Sequence, residues 1–240
     1  MGVTTPWITY SQPGAERLAQ QLRDAGFSPI VEPATAIQFL PWSVPAQLPD
    51  RIIFLSQHAA FRFLQTPDAL SVASRCEFLA AIGERSAESL RRSGLRVVVP
   101  ELEHSEALLT LPELRPVADG GLLRPADTVW QVGGTGGRNL IADTLADKCR
   151  WQRCDVYKRT GVNLDHVDIA HVGALVVGSI HGLEQTVAHW RACGGAPNIP
   201  VIAPSGRVVT RAKQLGFTCC FNALGNDGES IIKALRAALG

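Results

Sequence analysis

The sequence lacks a Cys-x-x-Cys pair, a long apolar run and an excess of charge of either sign. Its six cysteines lie at irregular spacings, which argues against a zinc knuckle or a thioredoxin-like redox site. With 23 Lys plus Arg against 22 Asp plus Glu, the formal net charge is +1. No global basic field therefore points to nucleic acid or to an anionic membrane. We expect no metal site, no nucleic-acid partner and no membrane partner.

Targeting signals and disulfide staples are also missing from the pattern. The most apolar windows, such as 174–177, have the length of a strand, far short of a membrane span. The start, MGVTTPWITY, has no basic segment followed by an apolar core, and Pro6 stands where a myristoylation signal needs Ser or Thr. A chain of this length does not need disulfides to be stable, so we expect reduced cysteines and a cytoplasmic location.

Apolar runs of strand length alternate with segments of helical period along the chain. Strands are predicted at 7–10, 52–55, 78–82, 128–132, 175–177 and 201–202. Among the helices between them, the one after the second strand is predicted from Phe61 and Leu64. This alternation is typical of βα units and largely parallel sheets, so the fold class is α/β.

Two corners with a serine and, two residues later, a histidine occupy matching places in the two halves. RIIFL-SQHA leads to Ser56 and His58, and ALVVG-SIHG leads to Ser179 and His181. WITYSQPGAERLAQQL likewise matches VWQVGGTGGRNLIADTL, and FLAAIGERSAESLRRSGL matches PVIAPSGRVVTRAKQLGF. The sequence therefore predicts one α/β module that is used twice.

Two extended segments, 31–41 and 152–160, fit poorly inside either module, and each follows the first βα unit of its half. We expect them to cross between two domains side by side, as linker strands 35–41 and 153–161. The first domain is then discontinuous, with residues 1–34 plus 162–240, and the second comprises residues 42–152. Each domain is predicted to be a parallel sheet flanked by helices, and the two are joined by a two-stranded β-linker.

Six turns between a strand and a helix are rich in Ser, Gly, Pro or Thr. They lie at 11–14, 56–59, 83–86, 133–137, 179–182 and 203–206. Such corners attract anions, because unpaired backbone N–H groups and the helix dipole favour negative charge there. Ser and Gly are also ordinary N-caps, worth about 0.5 to 2 kcal/mol each. One corner alone indicates no ligand, whereas six of them suit a ligand with several carboxylates or phosphates.

The GGTGG run at 133–137 favours close approach of the backbone to a ligand. It lacks the last glycine of the dinucleotide fingerprint, and no Gly-Lys-Ser follows it, so a nucleotide-dependent enzyme is a weak alternative. Arg138 follows the run and is either a partner for a bound anion or a solvated side chain.

The histidines and one tyrosine are the remaining candidates for chemistry. Neither His58 nor His181 has a carboxylate or cysteine at a spacing that completes a triad, so hydrogen bonding to a ligand or capping is favoured over proton transfer. Tyr157, one of only 2 tyrosines, lies in the second linker segment beside Lys158 and Arg159. Its phenol has two open roles: to donate a proton in a cleft, or to pack across a strand pair.

The order of these motifs resembles the uroporphyrinogen-III synthase family over nearly the whole chain. The motifs are WITYSQPGAERLAQQLRDAGF, IIFLSQHAA, AAIGERSAESLRRSGL, VGGTGGRNLIADTL, CDVYKRT, VVGSIHGLEQTV and VIAPSGRVVTRAKQLGF. The resemblance implies a two-domain α/β lyase with its active site in the interdomain cleft. Such an enzyme cyclises hydroxymethylbilane, a linear tetrapyrrole, to uroporphyrinogen III, with loss of water and inversion of ring D, in haem, sirohaem and cobalamin biosynthesis.

The resemblance also implies partners and site residues. It implies no cofactor, a monomer, and delivery of the substrate by hydroxymethylbilane synthase. Tyr157 matches the family's linker tyrosine, the proton donor to the leaving hydroxyl. The expected substrate-binding residues are Ser11, Gln12, Ser56, His58, Ser86, Gly133, Gly134, Arg138, Ser179, His181, Ser205, Gly206 and Arg207.

The chain departs from the family pattern at three corners and on one strand. At the second corner Ser56-Gln57 stands where the family usually has Ser-Pro, and Gln131-Val132 replaces a strand segment that often brings a basic residue. The first corner reads Ser11-Gln12-Pro13 where the family commonly has Thr-Arg-Pro, and Gly206-Arg207 replaces a Thr-rich turn. Without the resemblance, the residues leave open a different class of protein. This alternative is a non-catalytic two-lobe binding protein that closes around a small polyanion.

Overall fold

The computed structural model describes residues 5–136 and 139–239. They fall into two units, unit 1 with Met1–Ile37 and Thr160–Gly240, and unit 2 with Gln38–Arg159. Each unit has its own five-stranded sheet. Within the described ranges, no helix has the length and apolar character needed to cross a membrane.

The bounds of the regular elements are as follows. The strands are β1 (Pro6–Ile8), β2 (Ile30–Val31), β3 (Thr35–Phe39), β4 (Arg51–Phe54), β5 (Phe78–Ala81), β6 (Thr128–Gly134), β7 (Arg150–Gly161), β8 (Ala174–Val176), β9 (Val201–Ala203) and β10 (Cys220–Asn222). The helices are α1 (Gly14–Asp24), α2 (Gln57–Leu64), α3 (Ala69–Ala73), α4 (Glu84–Arg92), α5 (Ser105–Leu109), α6 (Leu140–Leu145), α7 (Ile180–Ala192), α8 (Gly206–Gln214) and α9 (Gly228–Leu239). Two short 3₁₀ turns lie at Pro112–Leu114 and Val117–Asp119.

Unit 1 is a parallel sheet in the order β10-β9-β8-β1-β2. Alternate residues of its strands face opposite sides, as the pleat requires. Trp7 and its neighbours pack with α7 and α8 on one side, and Ile8 and its neighbours pack with α1 and α9 on the other. Because helices cover both faces, the strands are continuous apolar runs, which is why they were recognisable in the sequence.

Unit 2 has the strand order β3-β7-β6-β4-β5. The last four strands are parallel. The edge strand β3 is antiparallel to β7. Beyond the end of β3, Leu40 N–H donates to the carbonyl of Val156, and beyond the end of β7, Val162 N–H donates to the carbonyl of Ala34, which precedes β3. The segments predicted as linker strands, 35–41 and 153–161, overlap these two paired strands, and their pairing satisfies backbone groups that would otherwise need water. The boundaries between the two units, after Ile37 and after Arg159, fall inside β3 and β7.

The predicted duplication is confirmed by the strand orders. The order β2-β1-β8-β9 in unit 1 corresponds to β7-β6-β4-β5 in unit 2. Where β10 stands beside β9, an isolated parallel bridge joins Val98 to Ala80 of β5. The same βα supersecondary unit therefore forms both sheets.

Two details of the sequence reading were wrong. Helix α2 was predicted from the apolar residues Phe61 and Leu64, but Phe61 is 48% exposed and Leu64 is half-buried, whereas Phe63 is buried. The helix begins at Gln57, so the inward stripe at helical spacing is Ala59, Ala60 and Phe63. The short strands β2 and β10 were not predicted in full, because two or three residues carry too little periodicity. All six cysteines are free thiols, as expected.

Candidate active site

A β-bulge directs the side chain of Tyr157 toward the helix α2 side of the unit 2 sheet. Strand β7 pairs with β6 at a constant offset up to Gly133 and Asp155, and the next pair is Gly134 with Tyr157. Val156 is the extra residue. An inserted residue reverses the alternation of the side chains that follow, and bulges commonly re-aim a side chain in this way. Val156 and Tyr157 are consequently both buried, although they are adjacent in a strand.

The Tyr157 ring extends across β6 to reach the end of β4. Strand β6 lies between β7 and β4, and Gly134 of β6 is directly beneath the ring. A Cβ atom on Gly134 would lie 2.6 Å from Cε2 and Cζ of Tyr157, closer than real Cβ contacts. Because Gly134 has no side chain, the phenol can pass over it.

Ser56 holds the phenol of Tyr157 at the start of α2. Ser56 Oγ donates a hydrogen bond to Tyr157 Oη at 3.0 Å, and it accepts one from Ala59 N–H at 3.1 Å. The second bond is the N-cap of α2. Since the tyrosine oxygen is the acceptor from Ser56, its own proton remains available to another acceptor. Tyr157 as a whole is only 3% exposed, so the surrounding packing fixes the orientation of its ring.

Two further side chains contact the Tyr157 ring. The His58 ring meets it edge on, with centroids 5.6 Å apart. Arg159 Cζ lies 5.4 Å from the ring centroid on the exposed part of β7, a cation–π contact. Within the part of the chain that the structure describes, that guanidinium makes no ion pair. The site therefore combines a held phenol with an imidazole and a cation that has no carboxylate partner among the described residues.

The Gly-rich turn after β6 is joined to the same strand. Thr135 N–H donates to the carbonyl of Tyr157 at 2.8 Å. Arg153 Nη2 donates to the carbonyls of Gly134 and Gly136, at 3.0 and 2.9 Å. A Cβ on Gly133 would make an ordinary contact with Leu55, at 3.6 Å. Arg138, which was expected to contribute a cation here, lies outside the described residues.

In unit 1, the Ser179 corner repeats the geometry of the Ser56 corner. Ser179 Oγ accepts from Gly182 N–H at 3.1 Å, and its φ and ψ of −161° and 163° are close to the −169° and 160° of Ser56. Both serines are N-caps of helices that follow interior strands of their sheets. The twice-built corner that the sequence indicates is therefore a repeated capping device, and His181 is exposed beside it.

The other two corners of unit 1 present polar groups at the carboxyl ends of β1 and β9. Ser11 Oγ lies 2.6 Å from Thr35 Oγ1, and Gln12 Oε1 accepts from Glu16 N–H at 3.3 Å. Ser205 precedes α8, and in the described ranges its hydroxyl makes no hydrogen bond. Gly206 and Arg207 are exposed in the first turn of that helix. Arg207 is a cation beside unfilled backbone donors, which suits an anion.

The corner before α4 is already filled by the protein. The Glu103 carboxylate accepts from Glu84 N–H at 2.8 Å, and a Cβ on Gly83 would lie 2.6 Å from it. Ser86 is only 4% exposed in the first turn of the same helix. The anion that occupies this helix start is therefore the side chain of Glu103 and not a ligand. Because this corner is occupied, we leave Ser86 out of the proposed site.

A nucleophilic thiol does not fit this site. Cys154 lies on β7 three residues before Tyr157, and burial raises the pKa of its thiol to about 12. The neutral thiol is a poor nucleophile. Nor do the described residues bring three His, Cys, Asp or Glu side chains together in a group that could hold a metal ion.

Two features of the site were not evident in the sequence, and a third, the contact of Arg159 with the Tyr157 ring, was evident only in part. The bulge at Val156 leaves no pattern, because it is defined by pairing with β6. The contacts of Arg153 with the Gly-rich turn depend on the same register. Arg159 had one usable signal, since it stands two residues after Tyr157 in an extended segment, where alternate side chains share a face.

Comparisons with known proteins agree with this architecture. A family profile described as "Uroporphyrinogen-III synthase HemD" matches residues 16–223, more than half of the chain. A crystal structure of a mutant uroporphyrinogen III synthase from Thermus thermophilus shares 17% identity at a TM-score of 0.62, covering 99% of both chains. The uroporphyrinogen-III synthetase from Helicobacter pylori shares 13% at a TM-score of 0.65, covering 100% of both. At these identities the structural likeness shows the fold.

Proposed function

The chain belongs to the uroporphyrinogen-III synthase family, and from this premise we propose a specific reaction and a role for each part of the site. The reaction is the cyclisation of hydroxymethylbilane to uroporphyrinogen III, with loss of water and inversion of ring D. The observation that carries the proposal is the phenol of Tyr157, held by Ser56 beside the Gly-rich turn. The enzyme is a lyase of tetrapyrrole biosynthesis, and more narrowly a cyclising hydro-lyase.

Binding of the substrate is assigned to the serine and glycine corners. Hydroxymethylbilane carries eight carboxylates, and a chain with a net charge of +1 has no global field to attract them. Local donors must do so, and carboxylates suit the backbone N–H groups at helix starts. In unit 2 we assign Ser56, His58, Gly133 and Gly134. In unit 1 we assign Ser11, Gln12, Ser179, His181, Ser205, Gly206 and Arg207, and we add Arg138 from the sequence alone.

Tyr157 is the proposed acid for the first chemical step. Its proton passes to the hydroxyl of the hydroxymethyl group, the C–O bond breaks, and water, a cationic azafulvenium and the Tyr157 phenolate form. The ring D carbon that already bears a bridge then attacks the methylene carbon and gives a spiro intermediate. The bond between that ring D carbon and its original bridge carbon then breaks, and the released bridge carbon bonds to the unsubstituted α-carbon of ring D. That α-carbon loses its proton, and one proton returns to the Tyr157 phenolate. Ser56 stabilises the tyrosinate by donating to its oxygen, in the manner of a preorganised donor.

The remaining parts of the proposal concern the setting of the reaction. The corners hold a flexible chain with its two ends together, which converts an unlikely encounter into a local one. No cofactor is proposed. We further propose a cytoplasmic monomer that receives hydroxymethylbilane from hydroxymethylbilane synthase, because that substrate also closes spontaneously to the type I isomer.

The alternative, a binding protein that closes around a polyanion without reacting it, is not favoured by the family match. The two are separated by an assay coupled to hydroxymethylbilane synthase, with oxidation of the products and separation of the uroporphyrin isomers. A synthase yields the type III isomer in proportion to the amount of this protein added. Type I isomer alone, at every amount of protein, would refute the proposed function.

A further inference from the structure

Arg153 donates hydrogen bonds to backbone carbonyls of the Gly-rich turn. Its Nη2 atom donates to two carbonyl oxygens, those of Gly134 at 3.0 Å and Gly136 at 2.9 Å. Its Nε atom donates to Asp155 Oδ1 at 2.8 Å. The Arg153 side chain is 24% exposed, so all three acceptors contact one partly buried cation. Arg153 was not among the residues expected from the sequence.

These bonds fix which way the peptide groups of the turn point. The carbonyl of Gly134 is turned toward Arg153, and the N–H of Thr135, in the same peptide group, donates to the carbonyl of Tyr157. Gly136 has a φ of +74°, a left-handed conformation that glycine adopts without strain. The turn is thus tied on one side to Arg153 and on the other to the backbone of Tyr157.

The electrostatic consequence concerns any anion that approaches the turn. A carbonyl oxygen carries a partial negative charge and repels a carboxylate. Arg153 donates hydrogen bonds to two carbonyl oxygens of the turn, which reduces the repulsion that an approaching carboxylate would meet. The positive charge of Arg153 is paired with the carboxylate of Asp155. Arg153 therefore orients the turn without presenting an unpaired positive charge to a ligand. A lysine in this place would supply charge but not the planar fork that reaches several acceptors at fixed angles.

We propose that Arg153 is a positioning residue for substrate binding, which acts through the Gly134–Gly136 turn and keeps that turn in register with Tyr157. The inference rests on the proposed function for the identity of the ligand, a carboxylate of a linear or cyclic tetrapyrrole. It adds a residue that touches no substrate atom and yet sets the affinity of the turn for that carboxylate.

The test uses Arg153→Met, Arg153→Lys and, as the matched control, Arg150→Met. Arg150 carries the same charge and is exposed at the first position of the same strand, where it pairs with Thr128 at the end of β6 away from the Gly-rich turn. Two readouts are taken, the KM for hydroxymethylbilane and the Kd for uroporphyrin III, an octacarboxylate, by fluorescence titration. We expect Arg153→Met and Arg153→Lys each to raise both the KM and the Kd by about tenfold, the scale of one lost charge-assisted contact. Arg150→Met should leave both constants within about twofold of wild type.

The thermal midpoint of each variant separates positioning from loss of fold. A variant that is folded at the assay temperature and still binds more weakly supports the inference. Wild-type affinity in Arg153→Met would overturn the inference, because the side chain would then have no role in binding. Wild-type affinity in Arg153→Lys would also overturn it, because positive charge alone would then be enough. If the wild type makes only type I isomer, the proposed function fails, whereas the uroporphyrin titration still decides whether Arg153 sets the affinity for a polycarboxylate.

Discussion

Ser56 Oγ donates a 3.0 Å hydrogen bond to Tyr157 Oη across 101 residues of sequence. The serine ends the loop after β4, the tyrosine belongs to β7, and β6 lies between the two strands. The contact is possible because Gly134 leaves a gap in β6 and because the bulge turns Tyr157 toward α2. The N-cap serine of α2 and the candidate acid, Tyr157, are thereby joined by one hydrogen bond.

Removing the phenol oxygen is the most direct change at this constellation. We expect Tyr157→Phe to lower kcat by about 10²-fold or more, the usual range for loss of a general acid, with little change in KM. The ring is buried and its packing remains, so the thermal midpoint should stay close to that of the wild type. Steady-state kinetics at saturating substrate provide the measurement. A wild-type kcat would remove Tyr157 from the mechanism.

Two matched cap deletions separate stability from catalysis. Ser56→Ala and Ser179→Ala each remove one N-cap bond of 3.1 Å, so each should lower the free energy of unfolding by about 0.5 to 2 kcal/mol. Only Ser56→Ala also removes the partner of Tyr157. We expect the lower kcat in Ser56→Ala, measured beside urea unfolding of both variants. Equal values of kcat at equal stability would show that the Ser56 to Tyr157 bond has no catalytic role.

Adjacent glycines offer a steric test of the same contact. A methyl group on Gly134 would lie 2.6 Å from the Tyr157 ring, whereas one on Gly133 would make an ordinary 3.6 Å contact with Leu55. We expect Gly134→Ala to displace the ring and lower kcat by at least about tenfold more than Gly133→Ala does. A crystal structure of Gly134→Ala should show the Ser56 to Tyr157 distance lengthened. The reverse ranking of the two variants would contradict the described packing.

Much of this arrangement follows from local sequence, and the rest depends on pairing. The serine corners were predictable because an N-cap needs only the serine and the helix that follows, and Ser56 and Ser179 indeed have nearly the same backbone angles. The duplicated module was predictable because buried parallel strands are continuous apolar runs. The bulge at Val156 and the contacts of Arg153 were not, since both are set by the register of β7 against β6, which the residues of β7 alone do not encode.

The start of α9 allows a prediction about stability and pH. Asp227 accepts from Ser230 N–H and from Ser230 Oγ, at 2.9 and 2.7 Å, and the backbone hydrogen bond from Ser230 is the main reason that the pKa of Asp227 is lowered. A carboxyl whose pKa is lower in the folded state adds stability above its unfolded pKa of 3.8, and that stability is lost as the pH falls through the folded value.

We therefore expect Asp227→Ala to lower the free energy of unfolding by about 0.5 to 2 kcal/mol at pH 7 and by less once the pH falls below the unfolded pKa of 3.8. The matched control is Asp165→Ala, an exposed aspartate whose side chain makes no bond in the part of the chain described by the structure; it should change stability by less than about 0.5 kcal/mol. Denaturant unfolding at about pH 7 and about pH 3 gives the comparison. A difference that grows as the pH falls would show that the carboxylate is not the stabilising form.

The central claim is that the held phenol and its neighbouring corners receive the tetrapyrrole, and a crystal structure with bound uroporphyrinogen III tests it most directly. The account predicts carboxylates of the product at the Ser56 corner and the Gly133–Gly134 turn, with the newly closed bridge within about 3.5 Å of Tyr157 Oη, the separation of aligned reacting groups. A product bound elsewhere, with every bridge carbon beyond hydrogen-bonding range of that oxygen and no carboxylate at either corner, would contradict it.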